Sequence, residues 1–216
     1  MCGVIGFYSQ HVTADDLRVL KKVLIASQIR GKHASGFAWF DGSKLQSCTY
    51  SLPMSDALND FSLKDCVYNH SISLIAHTRY STSDLNFNQP ILIKNTAIVH
   101  NGVISQSSPE KWRALYGYSC KTKNDSELLL QCIINGDNPK EMFPEASIAA
   151  LVLHSDGSIM PMRNSKRPLW RGRIGRGRVY ASTWHILSES GVTHIQKMRT
   201  EEDLQRRDMR AWDDLV

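Results

Sequence analysis

The apolar run VIGFY starts at Val4, directly behind Cys2 and Gly3. Chain ends usually fray and carry little function. A strand-like segment this near an end must be tied into a sheet by its neighbours, and it brings a thiol with it. Either Cys2 is incidental, or removal of Met1 makes it the first residue.

The second option has a specific chemistry. A thiol titrates at about 8.5 and an α-amino group at about 7.7–8.0. When both belong to one residue, the amine is a general base within reach of its own side chain. Such a nucleophile brings no His or Asp partner. The rest of the chain must then supply an oxyanion site and the groups that hold a substrate.

The remaining sequence is compatible with an enzyme of this kind. The 216 residues are enough for one sizeable core, and a 42% hydrophobic, 22% charged composition excludes wholesale disorder. No basic leader precedes an apolar run, and no stretch reaches the roughly 20 apolar residues of a membrane span. The five cysteines are odd in number and scattered without a CxxC, which points to a reduced, cytoplasmic compartment. The histidines do not pair with other ligand types at metal-binding spacing, so no metal site is indicated and no cofactor is expected. GxSxG, Walker A and HExxH motifs are absent, and the S-x-x-K at 108–111 reads better as a helix cap.

Short apolar runs, and polar–apolar alternation over 45–52, predict strands over 4–8, 36–40, 45–52, 73–77, 97–103, 148–153, 159–162 and 179–182. Helices are expected from the Thr13 cap to Gly31, from a capping box at 107–110, and from Asn124 to Gly136. The stretch 81–90 reads as a loop, and the chain beyond 182 as helical.

Five short segments then stand in order: MCGVIGF at 1–7, RGKHASG at 30–36, AHTRYST at 76–82, HNGVI at 100–104 and NDSE at 124–127. Together they resemble the class II glutamine amidotransferases, the N-terminal-nucleophile glutaminase domains. Members begin CG(I/V)xG and carry RGxDxxG, HTR(W/Y)xT, HNGxI and (T/S)DSE-like segments. RPL at 167–169 and YASTWHIL at 180–187 resemble the family's later strand and helix start.

The resemblance implies an α+β fold, a four-layer αββα sandwich with two antiparallel sheets between helices. It implies a glutaminase domain over 1–198 with its mature start at Cys2, followed by a charged, helical tail over 199–216. Cys2 is implied as the nucleophile that attacks the side-chain amide of L-glutamine, with its freed amine shuttling the proton. Asn101 and Gly102 would form the oxyanion hole. Arg79 would clamp the α-carboxylate, and Asp125 would receive the α-ammonium. Tyr80 and Thr82 would line the same pocket, and Arg30 would brace the terminus.

Each residue has a plainer reading as well. Asn101-Gly102 alone suits a type I′ hairpin turn. Asp125 suits a charge at a helix N-terminus. His77 and His100 read as structural residues flanking the pocket, and Cys48, Cys66, Cys120 and Cys132 as small buried hydrophobes. Two positions depart from the family pattern: His33 stands where an acid is usual, and Ser83 follows Thr82.

Family members usually fuse this domain to a synthetase or transferase domain. Here only a short tail follows residue 190, so a free-standing member that passes ammonia to a separate protein partner is expected. The stretch 163–178 carries seven basic residues and no acid; without those seven, the net charge of +5 becomes −2 for the rest of the chain. This run suits a solvated loop, a dock for an acidic partner, or a contact for the phosphates of a nucleotide or nucleic acid. Two other functions remain open at this level. One is an amide hydrolase of the same fold that releases its product to water. The other is a catalytically idle module that holds nucleic acid or a protein through 163–178. No membrane association is expected.

Overall fold

The computed structural model describes residues 2–81 and 86–200. In chain order these form β1 (Gly3–Ser9), α1 (Ala14–Ala26), β2 (Ala34–Phe40), β3 (Leu45–Tyr50), α2 (Met54–Asp60), β4 (Val67–Tyr68), β5 (Ser71–Arg79), β6 (Ile91–Ile93) and β7 (Thr96–His100). There follow α3 (Trp112–Tyr116), α4 (Ser126–Asn135), α5 (Pro139–Met142), β8 (Ala149–His154), β9 (Ile159–Arg163), β10 (Trp170–Ile174), β11 (Gly177–Ala181), α6 (Trp184–Ser188) and β12 (Thr193–Lys197).

One sheet runs β12-β10-β11-β1-β5-β2-β3, with β4 paired to the start of β5; the other runs β6-β7-β8-β9. Every pairing is antiparallel. Strand alternation sorts the apolar residues into three layers. Ile5 and Phe7 pack with Leu20 of α1, Met54 of α2 and Ile186 of α6. Val4, Ala38 and Ile75 pack between the sheets with Val99, Leu151 and Leu153. Ile98 and Val152 pack with Leu128 and Leu129 of α4. The order of layers is helix, sheet, sheet, helix, the αββα sandwich that the motifs implied.

The sandwich positions the thiol. β1 lies between β11 and β5, so the end of the chain enters the centre of the larger sheet. Seven residues of β1 are in register with Thr78 back to Ile72 of β5. A segment clamped on both sides does not fray.

Helix signals read from the sequence form in two places. Thr13 Oγ1 accepts from Asp16 N at 3.2 Å, and Asp16 Oδ2 accepts from Thr13 N at 2.9 Å, a reciprocal cap on α1. α4 ends at Gly136 with a left-handed φ of 76°.

Other expectations are corrected. The capping box at 107–110 does not form: a 3₁₀ turn, Pro109–Lys111, leads into α3, and the Ser108 side chain makes no capping bond. Asn101-Gly102 is not a hairpin turn. Antiparallel pairing to the 147–149 stretch continues past it, with Asn101 N donating to Ala149 O and Val103 N to Ser147 O. The chain beyond 182 is helical only in α6 and then returns as β12, an edge strand whose mostly exposed residues hide its period from a hydropathy reading. The basic stretch 163–178 is not a loop throughout. It ends β9, forms β10 and enters β11, with Arg171 and Arg173 alternating with buried Gly172 and Ile174. α2 and β6 were not expected. Residues 201–216, which hold most of the expected tail, lie outside the described residues.

No helix among the described residues is long and apolar enough to cross a membrane.

Candidate active site

The larger sheet delivers three of the expected residues to one end of the molecule: Cys2 ahead of β1, and Arg79 and Tyr80 at the end of β5. The smaller sheet delivers Asn101 and Gly102 just after β7, and the start of α4 brings Asp125. Cys2, Arg79, Tyr80, Gly102 and Asp125 line one cavity of about 440 Å³.

The surroundings of Cys2 are specific. Its main-chain N donates to Asn101 Oδ1 at 3.2 Å, and its carbonyl accepts from Arg30 Nε at 3.4 Å. Arg30 thus contacts the main chain of Cys2 directly. Burial lowers the Arg30 pKa, while the Cys2 thiolate charge acts to raise it.

The bond from Cys2 fixes the Asn101 amide. A flipped amide would set its NH₂ against the Cys2 N–H, donor against donor. With Oδ1 engaged, Asn101 Nδ2 is a buried donor that has no hydrogen-bond partner among the described residues. Such a group is costly unless something accepts from it. Beside it, Gly102 has no room for a side chain: a Cβ would stand 1.7 Å from Ser147 O and 2.6 Å from His100 Nε2.

A buried relay supports this loop. His100 Nε2 lies 3.1 Å from Ser147 O, and Nδ1 lies 2.9 Å from Ser126 Oγ. A carbonyl only accepts, so Nε2 carries the proton and Nδ1 accepts from Ser126. Gln89 Nε2 donates to Ser126 Oγ at 3.0 Å, and Gln89 Oε1 accepts from His100 N at 2.6 Å. Burial lowers the His100 pKa, against the pull of Asp125, so the ring is neutral. His77, also lining the cavity, is pulled down to about 3 by burial and by the Arg79 charge.

Arg79 and Asp125 have tasks within the protein. Arg79 Nη1 donates to Phe87 O at 2.9 Å and to Asn88 Oδ1 at 2.8 Å. Asn124 Nδ2 donates to the same Phe87 carbonyl at 3.0 Å. Asp125 Oδ2 accepts from Ile104 N at 2.6 Å and more loosely from Ser105 N at 3.4 Å. The carboxylate therefore orders the loop that follows Gly102 and is more than a charge at the start of α4. The His33 ring packs tilted by 30° against Tyr80 with ring centroids 4.9 Å apart, and its Nδ1 lies 2.9 Å from Ser81 N. This histidine, in place of the usual acid, supports the chain just beyond Arg79. Gly31 permits that packing, because a Cβ there would meet the Arg79 carbonyl carbon at 2.2 Å.

Thr82 and Ser83 lie outside the described residues. The sequence reading missed Gln89, Asn88 and the Phe87 carbonyl, since 81–90 showed only the composition of a loop. Burial disfavours the thiolate at Cys48, Cys66, Cys120 and Cys132. It raises the pKa of Cys48, Cys66 and Cys132, and pushes Cys120 up to about 12.

No family model matches the chain. An amidophosphoribosyltransferase of Methanothermobacter thermautotrophicus is 22% identical over an alignment of 222 positions, gaps included, that covers 94% of this chain and 46% of the relative. A glutamine phosphoribosylpyrophosphate amidotransferase from B. subtilis, complexed with ADP and GMP, superposes with a TM-score of 0.71 at 23% identity, over 92% of this chain and 45% of that one. The chain has the fold of the class II glutamine amidotransferases. A second amidotransferase-fold structure, described as the allosteric regulatory enzyme of purine biosynthesis, gives a TM-score of 0.68 at 22% identity over the same shares. The chain spans under half the length of the amidotransferases it matches. The resemblance read from the five motifs and the comparison of structures agree on this fold.

Proposed function

We propose that the chain hydrolyses L-glutamine to glutamate and ammonia through a thioester on Cys2, with residues 2–198 as the glutaminase domain. One observation carries the reading: Cys2 N donates to Asn101 Oδ1 at 3.2 Å, while Asn101 Nδ2 is buried without a partner. One side chain thus holds the nitrogen of the nucleophilic residue and keeps a donor for a developing oxyanion. With Met1 removed, the Cys2 nitrogen is a primary amine. It takes the thiol proton as sulfur attacks the glutamine δ-carbon. Asn101 Nδ2 and the Gly102 N–H stabilise the oxygen of the tetrahedral intermediate. The amine then returns the proton to the leaving nitrogen, the C–N bond breaks, and ammonia departs. Water cleaves the thioester, the amine again acting as base.

Arg79 and Asp125 read the two ends of the amino acid, one cation for the α-carboxylate and one anion for the α-ammonium. The Arg79 and Asn124 bonds to Phe87 O support this role, since they hold the cavity wall in place before substrate arrives. Ammonia passes to a partner protein that consumes it. Five free cysteines fit a reducing compartment.

The test is glutamate release from L-glutamine, with L-asparagine and a γ-glutamyl peptide as comparison substrates. Turnover of glutamine that disappears in Cys2→Ala is expected. Equal turnover of the other amides, or wild-type-like activity in Cys2→Ala, overturns the reading.

A further inference from the structure

Of the seven basic residues of 163–178, Arg176 lies in the turn between β10 and β11, and the other six divide into two groups. The first is tied to backbone and side-chain acceptors. Arg163 donates to Arg167 O at 2.8 Å and to Met198 O at 2.6 Å, Lys166 donates to Glu145 O at 2.9 Å, and Arg167 donates to Ser147 Oγ at 3.2 Å. The second group, Arg171, Arg173 and Arg178, is exposed, and these guanidinium groups make no hydrogen bond or ion pair among the described residues.

These three arginines share one face of the sheet. Arg173 and Arg178 are directly opposite each other on β10 and β11, and Arg171 lies two residues along β10, opposite Tyr180. Like charges facing each other across a strand pair are destabilising. The pairing makes physical sense where an anion neutralises it.

β12 shapes the other side. Its pairing with β10 slips between Arg171 and Arg173, so that Gln196 lies opposite Arg171 and Thr193 opposite Arg173. His194, inside this bulge, holds a left-handed φ of 52°, which is unfavourable for a residue with a side chain. Bulges of this kind re-aim side chains. Here His194 joins Gln196, Tyr180 and the three arginines around a hollow of about 260 Å³. That volume is below the roughly 300–1,000 Å³ of small-molecule clefts, so it suits a compact group. An acid, Asp156, lies in the adjoining hollow with Arg178, and its Oδ1 accepts from Ser158 N at 2.8 Å.

We propose that the hollow over β10, β11 and β12 is a phosphate-binding site for a phosphate or diphosphate group, with Arg171, Arg173 and Arg178 as the anion ligands. Guanidinium forks match phosphate oxygens in bidentate fashion, and Gln196 adds a neutral donor. The site is separate from the cavity at Cys2 and does not depend on the glutaminase reading.

The test is calorimetric titration of the purified full-length chain with inorganic phosphate, pyrophosphate and ADP at low and moderate salt. Saturable pyrophosphate binding is expected, weakened at least tenfold in Arg173→Ala/Arg178→Ala. Arg176→Ala, which removes a charge from the neighbouring turn, is expected to change it less than twofold. ADP binding as tightly as pyrophosphate assigns the group to a nucleotide, and pyrophosphate alone assigns it to a free anion; both support the site. Absence of binding by all three anions overturns it, as does equal weakening in Arg176→Ala. Binding of a single-stranded oligonucleotide that pyrophosphate does not displace also overturns it, in favour of a nucleic-acid surface. Circular dichroism and thermal melting check that the double variant is folded.

Discussion

Cys2 N and Asn101 Oδ1 meet at 3.2 Å, a bond between residues 99 positions apart that joins the two sheets at the candidate site. It orients the Asn101 amide and leaves Nδ2 as a buried donor without a partner among the described residues. Asn101→Ala removes that donor. A fall in kcat of about 10²–10³ is expected, with KM changed less than about threefold, since the oxyanion forms only after binding. Steady-state glutaminase kinetics checks this. A KM effect with kcat intact contradicts it.

Arg79→Lys keeps the charge but not the planar fork. Loss of one of the fork's two charge-assisted bonds costs about 1.5–3 kcal/mol, roughly a ten- to hundredfold rise in KM for glutamine. Asp125→Asn is expected to raise KM by a similar factor, and also to loosen the turn at Ile104, whose N–H the carboxylate accepts at 2.6 Å. Unchanged KM in both variants contradicts the proposed reading of the amino-acid end.

Gly102→Ala places a methyl group within 1.7 Å of Ser147 O, which neither backbone can accommodate without a shift. A loss of about 2 kcal/mol or more of stability is expected, with activity reduced at least as far as in Asn101→Ala. Thermal melting and turnover check it together. A variant as stable and active as the parent contradicts the packing of this loop.

The parts legible in the sequence are those where one residue type is required within a short segment. Cys2, Gly31, Arg79, Asn101, Gly102 and Asp125 all stand in such segments, and the strands of the inter-sheet core, buried on both faces, follow from short apolar runs. What escaped reading depends on partners far along the chain. Asn-Gly signals a reversal locally, but here the β7 to β8 pairing carries the chain straight through Asn101 and Val103. Gln89 sits in a stretch with the composition of a loop, yet its amide satisfies the His100 main chain as a strand would. Arg171 and Arg173 form a strand because of the buried residues between them, a period of two that their charge obscured.

His77 gives the fold a pH dependence. Burial and the Arg79 charge hold its imidazole at about 3, against the usual 6.5. Between those values the unfolded chain binds the extra proton. Stability therefore rises with pH across this window, by up to about 1.4 kcal/mol per unit. It is lost as pH falls below 6.5, and His100, lowered by burial, acts in the same direction. Urea unfolding at pH 4, 5 and 6 is expected to show a shallower slope for His77→Asn. An unchanged slope contradicts the buried neutral ring.

The central claim is that Cys2, with a free α-amine, is the nucleophile. A diazoketone analogue of glutamine alkylates a thiol held at the glutamine δ-carbon. Intact-mass and peptide mass spectrometry of the labelled, active protein then reads both features at once. One adduct is expected, on a peptide that begins at Cys2 with Met1 absent, and inactivation should track its formation. Full activity in protein that retains Met1, or inactivation with the label on another residue, would contradict the account.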